Sequence, residues 1–146
     1  MAAAADDVKI AGIRYEGGLP TKMGVSGRST NQTILVSGAR TTIQTGADQT
    51  NDYRRGIRLV VDITAAGTGS ITASIEAKDP TSGKYVTILA SAALATNQTK
   101  TLLVFPGAIA VANSVANDVL TPIWRVVITH NNANSITYSV GAQLLF

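Results

Sequence analysis

The sequence contains no cysteine and only one histidine, His130. Without cysteine the chain has no disulfide, no thiolate nucleophile and no Cys-ligated zinc or iron–sulfur site. One histidine cannot form a multi-histidine metal site by itself, so we expect neither a metal nor a cofactor. Charged residues make up 14% of the chain, against about 25% in an average domain. This composition is poor for an enzyme, and we expect no catalytic activity.

Three residues are the candidates for catalysis. A Ser–His–Asp triad would need His130, which falls at the end of a predicted strand, where an exposed polar residue is ordinary. Asp62 and Glu76 lie on the outward faces of two neighbouring predicted strands and could approach each other as the paired carboxylates of a glycosidase. Both alternate with Arg, Lys and Thr. A solvated face with cross-strand ion pairs therefore explains them better.

Four other features have a functional and a structural interpretation. Residues 48–52 offer five oxygen-bearing side chains, but a calcium loop requires more carboxylates and a following Glu, so we interpret them as a turn or arm. Residues 67–69 lack the Lys and the spacing of a phosphate loop, and we predict a hairpin turn there. Tyr138 and, above all, Trp124 could serve as sugar platforms if exposed. Trp124 shares a face with apolar neighbours, which favours burial.

Long apolar runs and clustered charge are also scarce. No run of 18 apolar residues is present, so we expect no membrane span. The net charge is +3 with a pI near 9.5, but the one local cluster of cations is Arg54, Arg55 and Arg58. Nucleic-acid binding is therefore not expected. The first seven residues lack a basic region and turn acidic, unlike a secretory signal, so we expect synthesis in the cytoplasm.

The abundant residues are Val, Ile and Thr, which make up about 30% of the chain and favour strands. Apolar residues alternate with polar ones in several segments. The predicted strands are residues 57–64, 70–78, 84–90, 100–105, 123–130 and 135–146. Residues 79–83 have the Pro and Gly of a hairpin turn, and residues 108–119 read as a loop with one helical turn. The fold class we expect is all-β, an antiparallel β-sandwich or jelly roll.

The chain divides into two parts by pattern. Residues 1–53 are rich in glycine and only briefly apolar, which predicts an N-terminal arm with one or two short strands, residues 33–36 being the better candidate. Residues 54–146 form the predicted sandwich domain. An arm that buries little of itself often binds another chain, so we expect residues 1–53 to act in assembly.

The part from Arg55 to Phe146 resembles small virion proteins encoded near the capsid gene in tailed bacteriophages. The resemblance rests on RGIRLVVD at residues 55–62, IEAKDPTSGKY at 75–85, VFPG at 104–107, WRV at 124–126 and SITYSVG at 135–141. These motifs are strands and turns rather than catalytic signatures. The resemblance implies a head-associated β-sandwich that decorates and cements the capsid shell.

A decoration protein of this kind would bind the major capsid protein, lie on the virion surface and act as a homo-oligomer, a dimer or a trimer. Its arms would add strands to sheet edges of the partner, and many weak contacts would sum over the symmetric shell. Two alternatives stay open: a structural component of the tail or neck, and a glycan-binding β-sandwich module. The glycan-binding alternative requires exposed aromatic side chains, and the sequence pattern indicates none.

Overall fold

The computed structural model describes residues 9–10 and 13–14 by their backbone and residues 29–146 in full. Every regular element in these residues is a β-strand. A separate pair is formed by β1 (Lys9–Ile10) and β2 (Ile13–Arg14). One sheet has the order β10-β9-β6-β12-β3. Its strands are β3 (Thr30–Arg40), β6 (Gly56–Ala65), β9 (Gln98–Val104), β10 (Val115–Ala116) and β12 (Ile136–Leu145).

The second sheet has the order β4-β11-β7-β8, with β5 also pairing with β11. Its strands are β4 (Gln44–Thr45), β5 (Gln49–Thr50), β7 (Ile71–Lys78), β8 (Tyr85–Ala90) and β11 (Ile123–His130). The consecutive strands β7 and β8 pair with each other within the second sheet. The other main connections between long strands cross from one sheet to the other. The molecule is thus a β-sandwich, and this sheet order and crossing pattern are those of a jelly roll.

The core lies between the two sheets and is built by alternation along the strands. In β6, Ile57, Leu59 and Val61 are fully buried, because successive side chains of a strand point to opposite faces. The largest buried side chains are Trp124 and Tyr138, both at 0% exposure. The expected burial of Trp124 is therefore confirmed. Gly56 begins β6 where a Cβ would lie 2.3 Å from the carbonyl oxygen of Val104, so only glycine fits there.

The predicted strands of residues 57–146 are all present, but two of their connections differ from the predictions. Residues 67–69 do not form a hairpin turn, because β6 and β7 belong to different sheets and the segment crosses between them. Residues 108–119 contain the expected single turn, in which the amides of Ser114 and Val115 donate to the Val111 carbonyl at 3.1 and 2.8 Å, but β10 also lies there, unpredicted, and pairs in parallel with the end of β9. The hairpin at residues 79–83 is confirmed: the amide of Gly83 donates to the carbonyl of Asp79 at 2.9 Å.

Residues 30–50, which we assigned to the arm, contribute three strands to the sandwich. β3 is 11 residues long and pairs with β12 from Thr30 opposite Leu144 to Arg40 opposite Ile136. β4 and β5 pair with β11. Among the described residues the sandwich therefore begins at Thr30, ahead of the predicted boundary at residue 54. The alternation of β3 is interrupted by bulges, which hides the strand from a period-two pattern.

The two ends of the sandwich differ in character. The loop end, as we call it, comprises residues 51–55, 79–84, 105–122 and 145–146, and the chain also enters β3 there. The opposite end comprises residues 41–43, 66–70, 91–97 and 131–135. The segments of the opposite end contain no charged residue, whereas those of the loop end contain three acidic and three basic side chains. The acidic ones are Asp52, Asp79 and Asp118, and the basic ones are Arg54, Arg55 and Lys84.

Candidate interaction surfaces

His130, the one candidate for a catalytic base, forms a hydrogen bond within the fold. Its Nε2 lies 3.0 Å from the hydroxyl of Tyr138, and its Nδ1 is buried without a hydrogen-bond partner. Burial, together with the positive charge of Arg40, lowers the pKa of His130 below its ordinary value. Burial likewise raises the pKa of Tyr138 to about 12. Arg40 itself stacks over the Tyr138 ring at 4.8 Å. This group of side chains ties β3, β11 and β12 together.

Asp62 and Glu76 are not brought together. They lie in different sheets, because β6 and β7 do not pair. Asp62 accepts a hydrogen bond from the Thr99 hydroxyl at 2.7 Å. Glu76 forms an ion pair with Arg125 on the neighbouring strand, with 2.8 Å between Oε2 and Nε. The cross-strand ion pair is confirmed for Glu76, and Asp62 and Glu76 do not form the paired-carboxylate site of a glycosidase.

A charged and aromatic cluster covers the outer face of the second sheet near the loop end. Asp48 pairs with the Lys78 ammonium at 2.7 Å and accepts a hydrogen bond from the Tyr85 hydroxyl at 2.5 Å. These hydrogen bonds, Lys78 first, hold the pKa of Asp48 below its ordinary value, and Asp48 in turn raises that of Lys78. Arg125 lies over the Tyr85 ring at 3.3 Å. Both carboxylate oxygens of Asp48 are therefore engaged by the two ends of the hairpin, Lys78 and Tyr85.

Metal-ligating side chains do not converge in the part of the chain that the structure describes, where no group of three or more His, Asp or Glu is found. Over the same residues, no helix has the length and apolar character needed to cross a membrane. The described residues also form other surface features. These are exposed apolar side chains and a small cavity.

Exposed apolar side chains concentrate at the loop end. Eight large apolar residues of the described chain are exposed. Five of them lie on loop-end segments: Tyr53, Ile109, Val111, Val119 and Phe146. Scattered apolar residues are normal on a protein surface, but a local concentration marks a site of interaction. The remaining three are Val36, Ile43 and Val86.

Tyr53 projects from a turn that is held in an unusual conformation. Its side chain is 93% exposed, and its φ of 60° lies in the left-handed region that most residues avoid. The Asn51 side chain fixes the turn: its Nδ2 donates to the carbonyls of Arg54 and Leu120, both at 2.8 Å, and its Oδ1 accepts from the Arg54 amide. Strain that persists at an exposed aromatic residue points to a binding role.

A cavity of about 310 Å³, which we call the socket, lies beside this turn. It is lined by Lys78, Asp79, Pro80, Gly83, Pro122 and Ile123. The Lys78 ammonium is engaged by Asp48. The Asp79 carboxylate accepts hydrogen bonds from the Ser82 hydroxyl and from the amides of Thr81 and Ser82, and these bonds lower the pKa of Asp79. The walls left to contact an occupant are mainly the two prolines and the isoleucine.

The edge loop, residues 105–114, forms a second exposed feature at the outer edge of β9. Ile109 is 87% exposed at its tip. Both ends of the loop are fixed: the Gly107 amide donates to Asn117 Oδ1 at 2.7 Å, and the Val111 amide donates to the Val115 carbonyl at 3.0 Å. The loop therefore holds Ile109 exposed at its tip while hydrogen bonds fix both of its ends.

The sequence did not predict the Tyr53 turn, the socket or the edge loop. It pointed instead to other features, among them the cluster of cations. Of the cation cluster, Arg55 lies over the Phe105 ring at 5.4 Å and Arg58 points outward from β6. The expectation that exposed aromatic residues are absent is wrong for Tyr53 and for Phe146. One signal was available, since Tyr53 stands among Asn, Asp and Arg, where a turn rather than a core strand is expected.

Comparisons with known proteins show no family for this chain. No family model matches it, and no curated protein matches it. Among solved structures, a chain of infectious bursal disease virus, Gx strain, is 12% identical with a TM-score of 0.43, and the alignment covers 80% of this chain and 31% of that one. A chain of the Gt strain is 12% identical with a TM-score of 0.42, covering 81% and 33%. This chain thus spans about a third of the length of either.

Proposed function

We propose that this protein is a structural component of a virion, a decoration protein that binds across neighbouring subunits of the major capsid protein on a phage head shell. The resemblance of residues 55–146 to tailed-phage virion proteins supports the proposal. The jelly roll supports it only broadly, because viral capsid proteins, lectins and cupins share that architecture and a fold does not determine a function.

The observation that carries the proposal is the edge loop. An isoleucine held 87% exposed at the tip of an anchored loop adds nothing to the core. Burial against a partner would stabilise the complex by roughly 1.5–3 kcal/mol for such a side chain. A shell offers many equivalent positions, so contacts of this size would suffice through avidity.

The N-terminal segment is the second part of the proposal. Thr30 pairs with Leu144, so β3 begins at the loop end. We propose that residues 1–28 act as the assembly arm, extending the contact with the capsid protein beyond the edge loop. Deleting residues 1–28 leaves β3 whole, and we expect the shortened protein to bind shells more weakly.

The test is co-sedimentation of the purified protein with shells that lack it. Ile109→Asp should weaken binding about tenfold or more, since it replaces a buried apolar contact by a charge. Ile43→Asp is the matched control, because Ile43 is also exposed but lies at the opposite end. Equal binding by both variants would contradict a role for the edge loop. Binding of the wild type to tails and not to shells would favour the tail or neck alternative.

One observation favours a second candidate, a glycan-binding module. Tyr53 supplies the exposed aromatic ring that such a module requires. The polar side chain beside it argues against the candidate, because Asn51 is engaged with the backbone at both its amide atoms. Titration with oligosaccharides, followed by tyrosine fluorescence, separates this candidate from the first.

A further inference from the structure

The socket and the Tyr53 turn lie side by side and complement each other. The amide of Asn51 donates to the carbonyl of Pro122 at 2.8 Å, so the turn that carries Tyr53 is bonded to one wall of the socket. Yet Tyr53 is 93% exposed and does not line the socket of its own chain. Each molecule therefore carries, at one end, a projecting aromatic ring and a mainly apolar cavity.

We propose that the loop ends of two copies of this chain meet about a two-fold axis, each inserting Tyr53 into the socket of the other. A two-fold contact requires a self-complementary patch, in which residue i of one copy contacts residue j of the other and the reverse. An adjacent ring and cavity form such a patch. This inference does not depend on the proposed function.

The chemistry of the socket fits a tyrosine ring. Pro80, Pro122 and Ile123 give it apolar walls, and its two charged residues are engaged within their own chain. Buried tyrosines are among the side chains that contribute most to interfaces, particularly when they fill pockets. Because the charged side chains of Lys78 and Asp79 already have partners within their own chain, the ring rather than the hydroxyl should determine binding.

The surroundings supply further area and no repulsion. Two exchanged tyrosines bury roughly 150–250 Å² each, which is short of the roughly 1,200–2,000 Å² of a stable interface. Val119 and Phe146 add exposed apolar surface close by, since Leu120 and Leu145 both bond to the backbone of Arg55. The side chains of the loop end carry three charges of each sign. Two copies can therefore approach without net repulsion, whereas a strongly charged partner gains little.

The test is the association state of the full chain, measured by sedimentation velocity over a series of concentrations. The wild type should dimerise reversibly. Tyr53→Ala should weaken dimerisation about a hundredfold or more, because each dimer loses two such side chains. Tyr53→Phe should stay within a few-fold of the wild type, and so should Ile109→Ala, which alters the edge loop instead. Circular dichroism and the melting temperature establish that each variant is folded.

Mixing two variants gives a measurement that a folding defect would not reproduce. Pro80→Glu places a charge at the socket and should abolish dimerisation, but it leaves Tyr53 intact. Tyr53→Ala leaves the socket intact. A mixture of the two can form one complete ring-and-socket contact per dimer, so it should associate more tightly than either variant alone. A monomeric wild type, a Tyr53→Ala variant that dimerises normally, or a mixture no tighter than its components would each overturn the proposal.

Discussion

The hairpin at residues 79–83 permits a test in which backbone strain is separated from steric overlap. Gly83 has a φ of 70°, and a Cβ added there would meet no atom within 4 Å. A substitution therefore imposes an unfavourable conformation without a clash. The turn cannot easily relax, because the Asp79 amide donates to the Lys84 carbonyl at 2.7 Å and the Gly83 amide donates to the Asp79 carbonyl at 2.9 Å.

The expected magnitude for Gly83→Val follows from two opposing contributions. An L-residue in the left-handed region costs roughly 1–2 kcal/mol, and a β-branched one costs more. Replacing glycine also restricts the unfolded chain, which offsets about 0.4–1 kcal/mol. The net loss of unfolding free energy should be at least about 1 kcal/mol. For a domain of this size it lowers the melting temperature by about 3–5 °C.

Thermal and urea unfolding of three variants decide the question. Gly83→Val should be destabilised, and Gly83→Asn much less, because asparagine tolerates positive φ. Gly141→Ala is the control in a strand: its nearest non-neighbouring atom would be 3.9 Å from the new Cβ, so no loss is expected. Equal losses for Val and Asn would show that φ is not the cause. A wild-type melting temperature for Val would refute the reasoning altogether.

Two other predictions concern the core and its pH dependence. Gly56→Ala should destabilise by about 1–3 kcal/mol, since its Cβ would lie 2.3 Å from the Val104 carbonyl oxygen and 2.6 Å from the Phe105 ring; an unchanged urea midpoint would contradict this close approach. The pKa of His130 is lowered by burial and by Arg40, so the fold favours the neutral imidazole. That contribution is complete above pH ~6.5, the ordinary value, and is lost as the pH falls through the lowered pKa. His130→Gln should flatten the decline of the urea midpoint with acid, and an identical pH profile would exclude His130 as its source.

Much of the fold could be predicted because the alternation of apolar and polar residues along a strand shows which of its side chains are buried. In β7, Ile71, Ala73 and Ile75 are buried while the residues between them are not, and the sequence shows the same period of two. Alternation gives the buried face of a strand but not its neighbour. β6 and β7 are consecutive and equally clear, yet one pairs with β12 and β9 and the other with β11 and β8. The predicted proximity of Asp62 and Glu76 was wrong for this reason.

The candidate surfaces could not be predicted because they are assembled from distant parts of the chain. The turn that presents Tyr53 depends on a hydrogen bond from Asn51 to Leu120, 69 residues away. The socket joins the hairpin at residues 79–83 to Pro122. A single tyrosine in a polar segment has no period and no motif. The exposure of Tyr53 and the residues around it depend on how the chain crosses between the two sheets.

The residues that stabilise the fold differ from those proposed to contact a partner. The two proposals can therefore be tested with variants that remain folded. The residues that fill the core belong to the strands, whereas Tyr53 and Ile109 lie on loops whose backbones are fixed by other side chains, Asn51 and Asn117. Surface substitutions away from such fixing groups usually change stability by less than about 0.5 kcal/mol. Tyr53→Ala and Ile109→Asp should therefore leave the melting temperature nearly unchanged. A loss of self-association or of shell binding in these variants then reports the contact itself.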